Sequence, residues 1–307
     1  PLSIDADFNT GQLSSEVTAI LTDLFFGFNP GQATLGYQGK LSYNGRRLAA
    51  DGQVRLTRKG DAIFGLERIA LPDFRLEIDH DCSVDLESSS LDLAKFRLAL
   101  ITGDSESLLL KLREPVKYSW LTADRQPGRS ANFDLEFRKF NLALLRFLSP
   151  PKARFRLDGG EMTGKIQLAF KHNLSAVSVL GSTRLSRARW RLDAEKRRLD
   201  GVTLGIDGEL RRDFAFLVRD LSLSLQDRGV ELGTLTFSGD GDALERSGRV
   251  KLRLDRGRPE LLSWLFPEWE RLLPEWNKLG LSTFSVAVNA EAGADGVWTV
   301  RGTEAAL

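Results

Sequence analysis

Apolar and polar residues alternate along most of this chain, and no other feature restricts the possible folds as strongly. Successive side chains of a β-strand point to opposite faces of a sheet, so alternation predicts strands with one apolar and one solvated face. The pattern is clear from Phe133 to Phe137 and from Val250 to Leu254. The sequence therefore predicts a mainly β protein built on a long, twisted antiparallel sheet.

Turn residues separate the alternating stretches. Glycine supplies the positive φ that tight hairpins require, and Asn or Asp beside it strengthens the prediction. Hairpin turns are predicted at Asn44-Gly45, Asp158-Gly159-Gly160, Asp200-Gly201, Asp227-Arg228-Gly229 and Asp295-Gly296.

Three segments have the spacing of short amphipathic helices instead. The first contains Leu13, Val17, Ile20, Leu21, Leu24 and Phe25, with Ser14 or Ser15 as its N-cap. The second is shorter and lies between Leu142 and Leu148. The third runs from Leu261 to Trp276 and is interrupted by Pro267 and Pro274. Its residues Trp264, Trp269 and Trp276 are either core residues or interfacial anchors.

The three helices have the same sequence context, because each follows a strand and precedes a glycine-punctuated hairpin. The preceding strands start at Ile4, Phe133 and Val250, which are 129 and 117 residues apart. This spacing predicts repeat units at 1–130 and 131–247 and the start of a third at 248–307, with the best seam at 123–129. We expect the chain to be a segment of a longer repetitive protein.

The apolar face of the predicted sheet exceeds what three short helices cover. Such a face needs helices, a second sheet or a ligand over it, so the sheet forms a sandwich, a barrel or an open groove. Acyl chains would fill a groove and contribute about 25 cal/mol per Å² of apolar surface removed from water. We predict a curled groove, like a half-barrel, lined by the apolar residues of the alternating stretches. These residues are Phe133, Leu135, Phe137, Ile166, Leu168, Phe170, Ala188, Trp190, Leu192, Val202, Leu204, Ile206, Phe214, Phe216, Val218, Leu223, Leu225, Val250, Leu252, Leu254, Phe284, Val286 and Val288.

The charge pattern disfavours nucleic acid as a partner. The chain has 43 Lys and Arg against 42 Asp and Glu, so no global attraction to a polyanion is expected. Basic residues are locally dense at Arg184, Arg187, Arg189 and Arg191 and at 196–198. They form either a solvated strand face with a hairpin tip or a contact for anionic headgroups or an acidic partner.

Residues for catalysis or metal binding are scarce. The chain has one cysteine and two histidines, which excludes an internal disulfide and a multi-histidine metal site. On a strand His80 and Cys82 would share a face, but no oxyanion hole is evident and a strand-end loop is favoured. His172 is predicted in a hairpin turn, and Gly239-Asp240-Gly241-Asp242 fits a hairpin tip better than a calcium loop. We expect no enzyme activity, no cofactor and no metal.

The segment from Asn132 through the leucines at 142–148 to Ile166 resembles the AsmA-like (TamB- and YhdP-type) proteins of the bacterial envelope. In these proteins a strand, a leucine-rich helix and a glycine-punctuated hairpin recur. Segments 199–204 and 220–225 are similar to strand pairs of that family. The resemblance implies a repeating β-groove in the periplasm that conducts phospholipid between the inner and outer membranes. It also implies an inner-membrane tether in a segment outside this chain, and it carries over no individual functional residue.

Two other functional classes remain open. A structural or chaperone-like scaffold of envelope assembly would pack its apolar sheet faces against each other. An outer-membrane barrel would need aromatic girdles, and three tyrosines do not supply them.

Overall fold

The structure is a computed structural model of the 307-residue chain. It describes residues 3–18, 32–64, 67–70, 72–119, 130–148, 155–171, 175–192, 195–242, 244–245, 247–261, 283–292 and 297–306.

Strands make up most of the described chain. The first eleven are β1 (Ile4–Leu13), β2 (Gln32–Tyr43), β3 (Arg47–Lys59), β4 (Asp61–Phe64), β5 (Glu67–Ala70), β6 (Phe74–Asp85), β7 (Ser90–Thr102), β8 (Ser105–Leu112), β9 (Val116–Ser119), β10 (Ala131–Asn141) and β11 (Phe155–Lys171). The others are β12 (Ala176–Leu192), β13 (Glu195–Arg211), β14 (Ala215–Asp227), β15 (Val230–Asp242), β16 (Ser247–Gly257), β17 (Phe284–Ala292) and β18 (Trp298–Ala306). A 3₁₀ helix, Leu142–Leu148, connects β10 to β11.

Sixteen of these strands form one sheet. Their order is β1-β2-β3-β6-β7-β8-β10-β11-β12-β13-β14-β15-β16-β17-β18, with β9 paired to β7. Strands β4 and β5 form a separate hairpin. Neighbours in the sheet are almost always consecutive in the chain, as expected of a meander. The prediction of a mainly β fold on one long antiparallel sheet is confirmed.

The chain divides into two compact units. Unit 1 contains residues 1–175 and 189–197, and unit 2 contains residues 176–188 and 198–307. The predicted repeat boundaries at 130/131 and 247/248 each fall inside one of these units, so the repeat remains a statement about sequence.

Two predicted hairpin turns are confirmed. Between β2 and β3, Gly45 has a φ of 84°, and the Asn44 carboxamide oxygen accepts from the Arg47 amide at 2.8 Å. Between β14 and β15, Gly229 has a φ of 77°. At both positions the left-handed backbone favours glycine.

Three other predicted turns are wrong, because their glycines lie inside strands. Asp158-Gly159-Gly160 belongs to β11, Asp200-Gly201 to β13 and Gly239-Asp240-Gly241-Asp242 to β15. These glycines make room for neighbours: a Cβ on Gly159 would lie 3.0 Å from the Arg189 guanidinium, and one on Gly239 2.6 Å from the Arg249 carbonyl oxygen. Asp295-Gly296 and His172 lie outside the described residues.

The predicted helices are only partly described. A helical turn begins at Ser15, and the Ser14 hydroxyl accepts from the Val17 amide at 3.5 Å, as expected of the N-cap. Leu13, however, ends strand β1. The second helix is confirmed as a short element, in 3₁₀ form. The third is described only at 259–261; Ile20, Leu21, Leu24, Phe25 and the segment 262–276 with its three tryptophans lie outside the described residues, as does the seam at 123–129.

One backbone feature recurs before each helical segment. Gly11, Lys139 and Arg256 have φ values of 60°, 54° and 51°, and each lies where the strand register shifts. A helical turn starts within four residues of each, at Ser15, Leu142 and Pro259. The three bulges are 128 and 117 residues apart, close to the spacing of the predicted repeat.

Candidate functional site

Strand register in unit 1 assembles a continuous apolar surface, which we call face 1. Residues directly opposite each other in a ladder point to the same side of the sheet. Two rows of such partners run across β2, β3, β6, β7, β8, β10 and β11. One row is Tyr37, Val54, Ile78, Leu98, Leu110, Leu135 and Ile166, and the other is Leu35, Leu56, Leu76, Leu100, Leu108, Phe137 and Gly164.

A third row continues face 1 on the other side of Tyr37. It contains Gly39, Gly52, His80 and Phe96, followed by Leu112, Phe133 and Leu168. Edge-to-face ring contacts join Phe133 to Phe96 at 6.1 Å and to Phe170 at 5.7 Å between centroids. These rings pack against Leu112, Val116 and Ala131, the most buried apolar cluster of this face.

Unit 2 has an equivalent surface, face 2. Its rows across β13 to β17 are Leu204, Leu223, Leu235, Leu254 and Val286, and Ile206, Leu221, Phe237, Leu252 and Val288. The pairs Val202–Leu225, Val218–Gly239, Gly239–Val250 and Gly257–Phe284 extend it. Phe216 lies opposite Gly241, where a Cβ would be 2.9 Å from its ring.

Most of the predicted groove residues therefore fall on one of two surfaces. Phe133, Leu135, Phe137, Ile166, Leu168 and Phe170 lie on face 1. The predicted residues of β13, β14, β16 and β17 lie on face 2. Phe214 does not join them: it lies in the turn between β13 and β14 with a φ of 62° and is 56% exposed.

In β12 the backbone does not keep the regular alternation that the sequence predicts. Arg187 has a φ of 53° directly before Ala188, which interrupts the alternation there. Ala188 is buried in unit 2, Trp190 is half-buried in unit 1, and the side chain of Leu192 lies outside those described. Arg184 donates to the Gln226 carboxamide at 3.2 Å, on the polar side of unit 2.

The sequence pattern missed most of face 1, because the predicted residues lie only on its strands β10 and β11. Leu108, Leu109 and Leu110 form an unbroken apolar run, and only the register assigns Leu109 to the polar side, opposite Ala99 and Glu136. Strands β2, β3 and β6 carry glycines, a histidine and a cysteine on face 1, which weakens their alternation. Ile78 and Leu98 lie at alternate positions with other apolar residues of β6 and β7, so a search for alternation within each short stretch would have identified them.

Neither apolar face is covered by another described layer. Extensive contacts between described strands join sheet neighbours or β4 to β5, and the 3₁₀ helix packs on β11. Most side chains of both faces are half-buried, and some are exposed, with Phe8 at 42% and Leu252 at 39%. The apolar surface thus stays accessible among the residues described.

The opposite side of unit 1 carries a chain of ion pairs over five neighbouring strands, and a hydrogen bond from Gln53 extends it to a sixth. Asp79 on β6 accepts from Gln53 on β3 at 2.9 Å and from Arg97 on β7 at 3.3 Å. Arg97 also pairs with Glu106 on β8, which lies 3.6 Å from Arg138 on β10.

This ion-pair chain continues from Arg138 to Glu136 at 2.5 Å and from Glu136 to Lys165 on β11 at 3.2 Å. The hydrogen bond from Arg138, and then that from Lys165, lower the pKa of Glu136 below its ordinary value. The same contact with Glu136 raises the pKa of Arg138. Unit 1 is therefore apolar on one side and held in register by charge on the other.

The polar side of unit 2 uses more hydroxyl groups. Thr203, Ser224 and Thr234 are direct partners across β13, β14 and β15, as are Ser222 and Thr236. A pocket of about 500 Å³ lies at one end of β14 to β16, and its lining includes Arg211, Phe216, Asp240, Arg249 and Glu291. Charges of both signs line it, and Arg249 approaches Asp240 at 3.5 Å.

His80 and Cys82 lie inside β6 and not in the strand-end loop favoured by the sequence. Register places both on face 1, opposite Gly52 and Ala50. Burial, and then the nearby Asp81 charge, raise the pKa of the Cys82 thiol above its ordinary value. Because a nucleophilic cysteine must be a thiolate, these surroundings disfavour a catalytic dyad.

No group of three His, Cys, Asp or Glu that could hold a metal ion occurs in the described part of the chain. Among the described residues, no helix is both long and apolar enough to cross a membrane. No family model, curated protein or solved structure matches this chain.

Proposed function

We propose that this protein binds acyl lipid on its apolar sheet faces and is a module of a bridge that carries phospholipid between membranes. The observation that carries the proposal is face 1, an apolar surface continuous across seven strands with no second described layer on it. The resemblance to AsmA-like proteins supports phospholipid as the cargo and the periplasm as the location.

The physical basis is surface area. Each methylene group removed from water contributes about 0.8 kcal/mol, so a long acyl chain lying along the face binds without directional contacts. Such binding has little preference for chain position along the first two rows of face 1, since most of their side chains are aliphatic. A chain can then slide along the surface, which a conduit requires and a catalytic pocket does not.

The polar side complements this role. Charged partners on adjacent strands fix the register, and a one-residue slip would transfer the apolar side chains to the opposite side. The ion-pair chain from Asp79 to Lys165 thus helps to keep the apolar side chains on face 1. The protein acts by binding lipid and not by catalysis.

Native mass spectrometry of the purified chain tests the proposal. We expect phospholipid adducts on the wild type. A matched pair of variants locates them: Leu110→Lys places a charge on face 1, whereas Leu109→Lys places it on the polar side. The adducts should diminish in Leu110→Lys and persist in Leu109→Lys, with both proteins folded by circular dichroism.

A wild-type protein that carries no phospholipid after purification and binds none when phospholipid is added would contradict the proposal. Equal lipid binding by the two lysine variants would also contradict it, because the lipid would then lie elsewhere. If Leu110→Lys alone unfolds, face 1 is a packed core, and the scaffold function replaces lipid transport.

A further inference from the structure

Face 1 has one polar position near its centre. Tyr37 on β2 and His80 on β6 approach with ring centroids 5.9 Å apart and planes inclined by 31°. Both residues are half-buried on the apolar side of the sheet. Their neighbours along the rows are Val54, Ile78 and Phe96, which offer no hydrogen bonds.

Two glycines create the space that Tyr37 fills. Gly39 and Gly52 face each other across β2 and β3, and a Cβ on either would lie 2.6 or 2.7 Å from the Tyr37 hydroxyl oxygen. The phenol therefore lies along the sheet over the glycine pair and directs its hydroxyl group toward the row that contains His80. The local sequence, with tyrosine two residues before glycine, specifies this arrangement.

Neither polar group is satisfied by a residue that the structure describes. Among the described residues, the Tyr37 hydroxyl and the His80 imidazole have no hydrogen-bond partner. The hydrogen bonds between Tyr37 and Thr10 involve only backbone atoms of Tyr37. In contact with water this costs nothing. Under an acyl chain, however, each group would be buried without a partner, at a penalty comparable to a lost hydrogen bond.

We propose that Tyr37 and His80 form a hydrogen-bonding position for the acyl-ester carbonyl of a lipid on face 1. This inference rests on the proposed lipid-binding function and specifies where the polar end of an acyl chain is held. An ester carbonyl accepts the hydrogen bond of the phenol and removes the burial penalty that a purely apolar occupant would impose.

The surroundings favour a neutral acceptor over an anion. On face 1, the only cationic side chain in the described strands β2, β3, β6 and β7 is Arg58. Arg58 is 1% exposed, donates to the carbonyl oxygens of Pro72 and Gly60, and lies 5.8 Å above the Phe74 ring. A carboxylate or phosphate beside Tyr37 would lie in apolar surroundings without a counter-charge, which is costly.

Equilibrium binding of three probes tests the inference on the full chain. The probes are methyl laurate, with an ester, dodecane, without oxygen, and laurate, with a carboxylate. The variant Tyr37→Phe should bind methyl laurate about fivefold more weakly, the effect of one net hydrogen bond. Its affinity for dodecane should be unchanged or higher.

Tyr43→Phe is the matched control, because Tyr43 lies on the same strand and the same face, opposite Ile4 and Leu48. It should bind all three probes like the wild type. Infrared spectra of methyl laurate labelled at the carbonyl carbon add a direct readout. The carbonyl band should be shifted to lower wavenumber on the wild type and on Tyr43→Phe, and should return toward its unbonded position on Tyr37→Phe.

Equal loss of methyl laurate and dodecane in Tyr37→Phe would overturn the inference, because Tyr37 would then supply only apolar area. Selective loss of laurate would overturn the choice of a neutral ester. Failure of the wild type to bind any probe would instead refute the proposed function itself. If Tyr37→Phe does not fold, His80→Phe replaces it, with the same expectations.

Discussion

Faces 1 and 2 arise from the same alternation, yet they differ in what interrupts them. Face 1 contains tyrosine, histidine and cysteine side chains near its centre, together with a buried cluster around Leu112. Both faces contain glycines, but the described rows of face 2 across β13 to β17 contain no polar side chain beside glycines such as Gly239 and Gly241. Larger neighbours, Val250 and Phe216, lean over those glycines. A polar side chain can form a hydrogen bond with a ligand atom, whereas a glycine has no side chain that could do so.

The polar sides differ as well. In unit 1 an ion-pair chain crosses five strands, whereas in unit 2 rows of hydroxyl groups alternate with shorter pairs such as Arg219–Asp207. Both arrangements link neighbouring strands, and the first should depend more on pH and salt because more of its partners are charged. The alternation therefore sets the two faces, while the choice of polar residues sets how each unit responds to pH and salt.

The largest expected effect concerns burial on the two faces. Leu112→Ala should lower the free energy of unfolding by about 3 kcal/mol, since Leu112 is 6% exposed inside the cluster. Leu252→Ala on face 2 should cost about 1 kcal/mol, because Leu252 is 39% exposed. Urea denaturation of lipid-free protein measures both. Equal losses would show that face 2 is packed against protein, as the scaffold function requires.

Glycine substitution should give the next largest effect. Gly52→Ala should destabilise by about 2 kcal/mol, because its Cβ would lie 2.7 Å from both the Gln38 carbonyl oxygen and the Tyr37 hydroxyl. In unit 2, Gly201→Ala should cost less than about 0.5 kcal/mol, since the new Cβ meets only the flexible ends of Gln226 and Arg184. Thermal unfolding compares the two variants. A larger loss for Gly201→Ala would contradict the packing described around Tyr37.

Acid should weaken unit 1 through Glu136. Its pKa is lowered in the folded protein, so its stabilising contribution is complete above the unfolded pKa and disappears as pH falls through the folded pKa. Glu136→Gln should therefore be less stable than wild type near pH 7 and should approach it below about pH 4. Denaturation at several pH values measures the gap. Glu245→Gln, at an exposed turn of unit 2, is the control and should show a smaller change with pH.

Ionic strength should produce the smallest effect. Arg97→Gln breaks the ion-pair chain and should cost about 1 kcal/mol at low salt, with the difference shrinking at 1 M NaCl because salt screens partly exposed charges. Ser222→Ala removes a hydroxyl group from unit 2, and its effect should not change with salt. A salt-independent loss for Arg97→Gln would show that its packing matters more than its charge.

Much of the sheet could be predicted from sequence, because successive residues of a strand point to opposite faces and the alternation of apolar and polar residues follows from this geometry. The stretch from Val202 to Ile206 shows this: its apolar residues meet Leu225, Leu223 and Leu221 on one face. Turns were less predictable. Asp227-Arg228-Gly229 forms a turn in which Gly229 has a φ of 77°, whereas Asp200-Gly201 continues strand β13, where Gly201 pairs with Gln226 of β14.

The candidate site was predictable only in part. The apolar residues of β10 and β11 that lie on face 1 were predicted to share one side of the sheet, because most of their neighbours in sequence are charged or polar. Tyr37 and His80 were not predicted to lie together on this face, since a polar residue at an apolar position interrupts the alternation. Their proximity depends on the register of β2, β3 and β6, and the hairpin β4–β5 separates β3 from β6 in the chain. The periodicity of a single segment does not predict such a register.

Cys82 can report directly whether lipid covers face 1, because the only cysteine of the chain lies half-buried on that face. Its alkylation by a water-soluble maleimide should slow several-fold when phospholipid is loaded and recover after delipidation. A second protein, Asp81→Cys with Cys82→Ser, places the thiol one residue away on the polar side and should show no protection. An unchanged Cys82 rate in lipid-loaded protein, or equal protection of both thiols, would contradict the account.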